Sequence, residues 1–323
     1  MCTALTYHTK DHYFGRNLDL SYSYGETVTV TPRNYPFRFR GGMQLNHHHA
    51  MIGMACVREG YPLYYDAVNE CGLAMAGLEF PGAVYEQQRA ERDNVAAFEL
   101  IPWLLGQCAT VEEAGLLLGQ LSLWEEAFSA QLPPAPLHWM VADREECIVV
   151  EPMAEGLRIH DNPVGVMTNQ PDFPFMQQYL TMFRDLSPAL SVNRLTDRMD
   201  LPVFCHGLAA VGLPGDWSSP SRFVRAAFAR LNAVSAAGEA ESVGQFFHLL
   251  GTVERPRGCV QLEGGRQDIT VYSSCCNQDR GIYYYTTYEN RRITAVDLHG
   301  EELEGDGVVS YPLRTEQDIL RQN

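Results

Sequence analysis

The chain has 323 residues, 46% of them hydrophobic, and its 40 acidic against 24 basic side chains leave a formal net charge of −16. Phosphate backbones and anionic membrane surfaces both require clustered cations, so this balance argues against nucleic-acid and bilayer partners. Nine cysteines, an odd number with no CxxC pair, do not make a disulfide framework. Most fall in apolar runs and read as small buried hydrophobes kept reduced. The polar stretch after Met1, with His8, Lys10, Asp11 and His12, is unlike a secretory leader, so a cytoplasmic location is expected.

Segments 3–8, 13–19 and 27–31 are rich in Thr, Tyr, Val and Phe, alternate in part, and are punctuated by Gly15, Gly25 and Pro32, as in an antiparallel meander. Strands follow at 51–57, 63–68 and 73–78, the last two split by the turn Asn69-Glu70-Cys71-Gly72. Helical spacing begins near Asn94, a candidate cap for a helix carrying Phe98, Ile101, Leu104 and Leu105. Thr110 with Glu113 predicts a capping box for a second helix. Strands resume at 137–142, 147–152 and 157–160, and 164–168 leads into helices at 176–184, 220–231 and 242–250. The last strands are 268–274, 281–288 and 293–297. With no GxGxxG and no regular βαβ repeat, this alternation disfavours a doubly wound parallel sheet. It predicts an α+β fold of two stacked antiparallel sheets flanked by helices. No repeat, low-complexity tract or linker marks a boundary, so residues 1–323 are read as one domain.

Cys2 is the first candidate for chemistry. Removal of Met1 leaves a thiol beside a free α-amine, and an amine with a pKa of about 7.7 to 8.0 can take the thiol proton and return it to a leaving amine. Alternatively, position 2 is an ordinary small residue. Pairing strand 3–8 with 13–19 as a hairpin brings Arg16 and Asp19 toward that thiol. There a carboxylate can orient the amine and a guanidinium can favour thiolate; the alternative is a surface ion pair. Asn169, held before Pro171, can donate to an oxyanion or simply cap a turn. Arg222 falls in the first turn of a helix, where the helix dipole disfavours a cation, which favours a specific task over a solvated role. His47-His48-His49 are consecutive and do not converge on one metal. Cys275 and Cys276, being adjacent, are too close for an ordinary disulfide, and one is expected to point into the core.

Together, Met1-Cys2, Phe14-Gly15-Arg16-Asn17-Leu18-Asp19, Asn69-Glu70-Cys71-Gly72-Leu73, Leu137-His138-Trp139-Met140, Thr168-Asn169-Gln170-Pro171 and Ser219-Pro220-Ser221-Arg222-Phe223 resemble the choloylglycine hydrolase family. Its members are the bile salt hydrolases and penicillin V acylases of the N-terminal nucleophile superfamily, and the chain looks closest to bile salt hydrolases of gut Firmicutes. The resemblance implies a four-layer αββα fold, a homotetramer, no cofactor, and cleavage of the amide between a bile acid and glycine or taurine. It makes Cys2 the nucleophile at the start of the mature chain and gives its α-amine the role of base. Asp19 then orients that amine, Arg16 tunes the thiol, Asn169 donates to the oxyanion and Arg222 supports the cluster. By the same resemblance Leu18, Leu20, Tyr24, Tyr65, Phe128 and Leu132 line the acyl pocket. One position departs from the family: Glu79 stands in Gly77-Leu78-Glu79-Phe80-Pro81 where bile-salt-cleaving members carry an oxyanion-donating Asn. An ionised carboxylate has no proton to donate. A penicillin V acylase-type amidase and an inactive or altered-specificity binding relative are therefore the alternative readings.

Overall fold

Period-two segments of the sequence pair into two sheets. In the computed structural model, which describes residues 1–323, one sheet has six strands ordered Val166–Met167, Cys2–His8, His12–Leu20, Ile269–Asn277, Ile282–Thr287 and Thr294–Asp297. The other has eight, ordered Gly156–Asp161, Cys147–Met153, Leu137–Ala142, Ala74–Glu79, Tyr61–Asn69, Met51–Arg58, Thr27–Thr31 and Val309–Pro312. All pairings within the two sheets are antiparallel.

Alternation along each strand assigns its side chains to opposite faces. From His12–Leu20, Arg16 reaches the carbonyls of Tyr65 and Gly77 in the facing sheet, while its neighbour Asn17 donates to the Leu250 carbonyl of a covering helix. Helices Phe173–Leu180, Ser219–Asn232 and Glu239–Gly251 cover the six-stranded sheet, burying Met176, Phe223 and Phe246 in a core continuous with the inter-sheet residues Ala4, Ile52 and Met140. On the other side, Leu100–Leu105 and Val111–Leu118 pack Trp103, Leu104 and Leu118 against Met51, Met75 and Trp139 of the eight-stranded sheet. The layers are helix, sheet, sheet, helix, which is the expected αββα architecture. Gly15 is required by close approach: a Cβ there would collide with the Ser274 carbonyl of the neighbouring strand.

Three expectations are corrected. The helix predicted from Asn94 begins at Leu100, because Asp93–Ala96 forms a parallel pair with Leu121–Trp124. Asn94 instead ties the preceding loop, accepting from the Arg89 N–H and donating to the Arg89 carbonyl. Cys71, Cys205 and Cys259 are exposed rather than core residues, and both Cys275 and Cys276 are buried, since their strand is covered on both faces. The Thr110 cap is present, its hydroxyl accepting from the Glu113 N–H. No helix is long and apolar enough to cross a membrane.

Candidate active site

Cys2 opens an interior strand and is 3% exposed. Its register with the next strand, Cys2 opposite Leu18 and Ala4 opposite Arg16, brings the end of His12–Leu20 alongside it. On its other flank Ala4 pairs with Met167, so the chain leaving Val166–Met167 delivers Asn169 to the same spot. The Asn169 Oδ1 accepts from the Cys2 backbone N–H at 2.8 Å, and its Nδ2 donates to the Glu79 carbonyl at 2.7 Å. Arg222 arrives from the first turn of Ser219–Asn232, where it works against the helix dipole but gains four acceptors: the Cys2 and Trp217 carbonyls, Thr3 Oγ1 at 2.6 Å and Asn169 Oδ1 at 2.7 Å. Burial pulls its guanidinium down to about 10, opposed by Asp19 and reinforced by Arg255.

Arg16 is fully buried. One Nη donates to the carbonyls of Gly77 at 2.6 Å and Tyr65 at 3.1 Å, while Nε and the other Nη have no partner. Such orphaned donors are rare in protein interiors. Although burial works to lower the Arg16 pKa, the charges of Cys2, Tyr272 and Asp66 leave it raised. Asp66 anchors this floor by accepting from Tyr272 at 2.6 Å, Ser274 at 3.2 Å and Tyr283.

The carboxylate of Asp19 accepts from Thr270 Oγ1 at 2.7 Å and lies 3.4 Å from Arg255 Nε, while its backbone carbonyl takes the Met1 ammonium at 2.7 Å. Burial pushes this carboxyl up, against the pull of Arg222 and Arg255. Arg255, Asp268 and Thr270 also belong to the cluster, with no motif in the sequence to mark them. Arg255 is paired with Asp268 and donates to the Trp217 carbonyl, and none of the three carries a local pattern, since a loop and a strand end bring them in. Glu79 is half exposed, with its carboxylate 3.6 Å from the Met1 ammonium; Asp268 lies 3.8 Å from the same group.

A mainly apolar cavity of about 390 Å³ has Tyr24, Tyr65, Phe128 and Leu132 among its walls, and none of Cys2, Arg16, Asp19, Asn169 or Arg222. Tyr65 and Gly77, which hold Arg16 through their carbonyls, also line it, so cavity and guanidinium share a wall. Leu18 packs in the inter-sheet core and Leu20 is half buried at the strand end; neither lines this cavity. No group of three His, Cys, Asp or Glu side chains converges as a metal site requires. The three consecutive histidines serve separate partners: His47 meets Asn34, His48 the Tyr35 carbonyl, and His49 Cys71.

Residues 2–311 match the model of the choloylglycine hydrolase family, linear amide C–N hydrolases. The chain is 50% identical to the bile salt hydrolase/transferase of Lactiplantibacillus plantarum with both chains fully covered, and 35% identical to that of Clostridium perfringens over 96% of each. Its fold superposes on a crystal structure of conjugated bile acid hydrolase from Clostridium perfringens with a TM-score of 0.92 at 32% identity, each chain fully covered. Penicillin V acylase from Agrobacterium tumefaciens shares the fold, with a TM-score of 0.77 at 19% identity over 96% and 90% of the two chains. This chain is therefore a member of the choloylglycine hydrolase family of linear amide C–N hydrolases.

Proposed function

We propose that this chain cleaves the amide between a bile acid and glycine or taurine through an acyl thioester on Cys2. The observation that carries the reading is the convergence of Arg16, Asp19, Asn169 and Arg222 on the first strand residue, next to an apolar cavity suited to a steroid face. Relatives named for this activity support it.

Removal of Met1 frees the Cys2 amine, which then takes the thiol proton. The thiolate attacks the amide carbon, and the oxyanion is met by the second N–H of the Asn169 amide. The amine returns the proton to the departing glycine or taurine, and water it activates hydrolyses the thioester. Arg16 tunes the thiol through its unpartnered donors, Asp19, itself held by Thr270 and Arg255, orients the amine, and Arg222 holds the Cys2 carbonyl and Asn169 together. Tyr24, Tyr65, Phe128 and Leu132 take the acyl body.

The working protein is a single-domain homotetramer in the cytoplasm. The exposed apolar side chains Met182, Leu190, Leu195, Met199, Phe204 and Val211 support assembly, because they lie close together in sequence between two helices and leave apolar surface for neighbouring copies to cover. All nine cysteines are unpaired, in keeping with a reducing compartment. The test is intact-mass analysis of protein quenched during turnover of glycocholate. A chain starting at Cys2 and heavier by one acyl group is expected; active protein with Met1 retained would overturn the mechanism.

A further inference from the structure

The motif Leu137-His138-Trp139-Met140 contributes a buried histidine to which the mechanism above gives no task. His138 is 1% exposed and Glu151, across from it on the adjacent strand, is 0% exposed. His138 Nδ1 lies 3.1 Å from Glu151 Oε1, and Nε2 lies 2.8 Å from the Thr168 carbonyl. The carboxylate also accepts the Phe173 N–H, at 3.0 and 3.1 Å to its two oxygens, and Oε2 lies 3.6 Å from His160 Nε2. Both nitrogens of the His138 ring thus face oxygen atoms, one on the Glu151 carboxyl and one on the Thr168 carbonyl, so the ring is held from two sides. A buried pair of this kind is a poor source of stability, because desolvation offsets the attraction. Its position suggests another use.

The Thr168 carbonyl precedes Asn169. Thr168 Oγ1 donates to the Ser219 carbonyl at 3.1 Å, and Ser219 Oγ accepts the Asn169 N–H at 2.9 Å. On the other side the His138 ring stacks on Phe80, centroids 4.6 Å apart at 8°, and Phe80 follows Glu79, whose carbonyl takes the Asn169 amide. One ring therefore touches both the residue that leads into Asn169 and the segment whose carbonyl accepts from the Asn169 amide.

We propose that His138, held by Glu151, is a positioning residue that sets the Asn169 amide for the oxyanion. Resting on the thioester reading above, this makes His138 act through Asn169 and not on substrate. Displacing a reacting group by about 1 Å costs on the order of 10²-fold in rate, so loss of the grip on Thr168 slows acylation while leaving the cavity intact.

The test compares His138→Phe, His138→Gln and Glu151→Gln with wild type in rapid-quench acylation by glycocholate, with alkylation of Cys2 by iodoacetamide, which needs no oxyanion, measured alongside. Phe keeps the stack on Phe80 and is expected to slow acylation roughly 10- to 100-fold, with KM within about twofold and alkylation unchanged. Gln, which retains one donor, recovers part of the rate, and Glu151→Gln loses a smaller factor. Acylation at the wild-type rate in folded His138→Phe, or a loss confined to KM, overturns the proposal. If His138→Phe does not fold, Glu151→Gln decides: acylation at the wild-type rate in that variant overturns it too. A wild-type protein that never acylates overturns this proposal and the functional reading together, whereas a wild type that acylates while the variants match it overturns this proposal alone.

Discussion

Replacing Glu79 should make this protein faster, not slower. Its carboxylate is 51% exposed, and its backbone carbonyl binds the very amide assigned to the oxyanion. A negative charge about 4 to 5 Å from a second negative charge, at an effective dielectric between about 40 and 80, costs about 1 to 2 kcal/mol, or roughly 5- to 30-fold in rate. Glu79→Gln removes that charge and is expected to raise kcat/KM on glycocholate and taurocholate by this factor. Glu79→Asn also shortens the side chain and places an amide donor where the family expects one. A single oxyanion donor is worth about 10²- to 10³-fold, so Asn should exceed Gln. Initial rates of amine release, measured for both variants and wild type on glycocholate, taurocholate and penicillin V, give the comparison. If both variants match or fall below wild type on all three substrates, Glu79 neither repels the transition state nor vacates a donor position, and the reasoning fails.

Three further outcomes follow from the geometry. Arg255→Met leaves Asp19 and Asp268 without their shared guanidinium in a buried setting; a loss of about 3 to 5 kcal/mol is expected in urea unfolding, and a loss under about 1 kcal/mol would show the pair to be dispensable. Glu99, buried while accepting the Arg40 and Ala96 N–H groups, is pushed up to about 7 by burial. Its folded value is above its unfolded one, so the associated stability is complete below about pH 4.3 and is lost as pH rises through about 7, a span of roughly 3 to 4 kcal/mol. Glu99→Gln should flatten that slope in unfolding titrations from pH 4.5 to 8. The proposed tetramer predicts that charging the exposed apolar segment with Leu195→Asp and Phe204→Asp lowers the light-scattering mass toward that of a monomer without changing the circular dichroism; an unchanged mass would overturn this segment as the interface.

Much of this architecture is legible in the sequence because local and global preferences agree there. Thr27–Thr31 and Leu137–Ala142 occupy the span that alternation and β-branched content predict, and hairpin geometry alone brings Arg16 and Asp19 beside Cys2. What is illegible depends on distant partners. Val309–Pro312 is a strand only because Thr27–Thr31 has a free edge, and Asp93–Ala96 is one only because Leu121–Trp124 lies beside it. Arg255 and Asp268 become site residues by burying opposite charges together, which no spacing announces. Family resemblance supplied the cavity residues unevenly: Phe128 and Leu132 sit on the loop that forms its wall, whereas Leu18 belongs to the packed strand opposite Cys2.

The strand order of the six-stranded sheet also dictates when the protein can work. The His12–Leu20 strand is hydrogen-bonded to Ile269–Asn277, and the cluster around Cys2 draws Arg222, Arg255 and Thr270 from the last third of the chain. Contacts between such distant segments close late and slowly. A nascent chain that has emerged only through its first two hundred residues therefore lacks Arg222, Arg255 and Thr270 beside Cys2, and the full cluster is assembled only when the C-terminal segments dock.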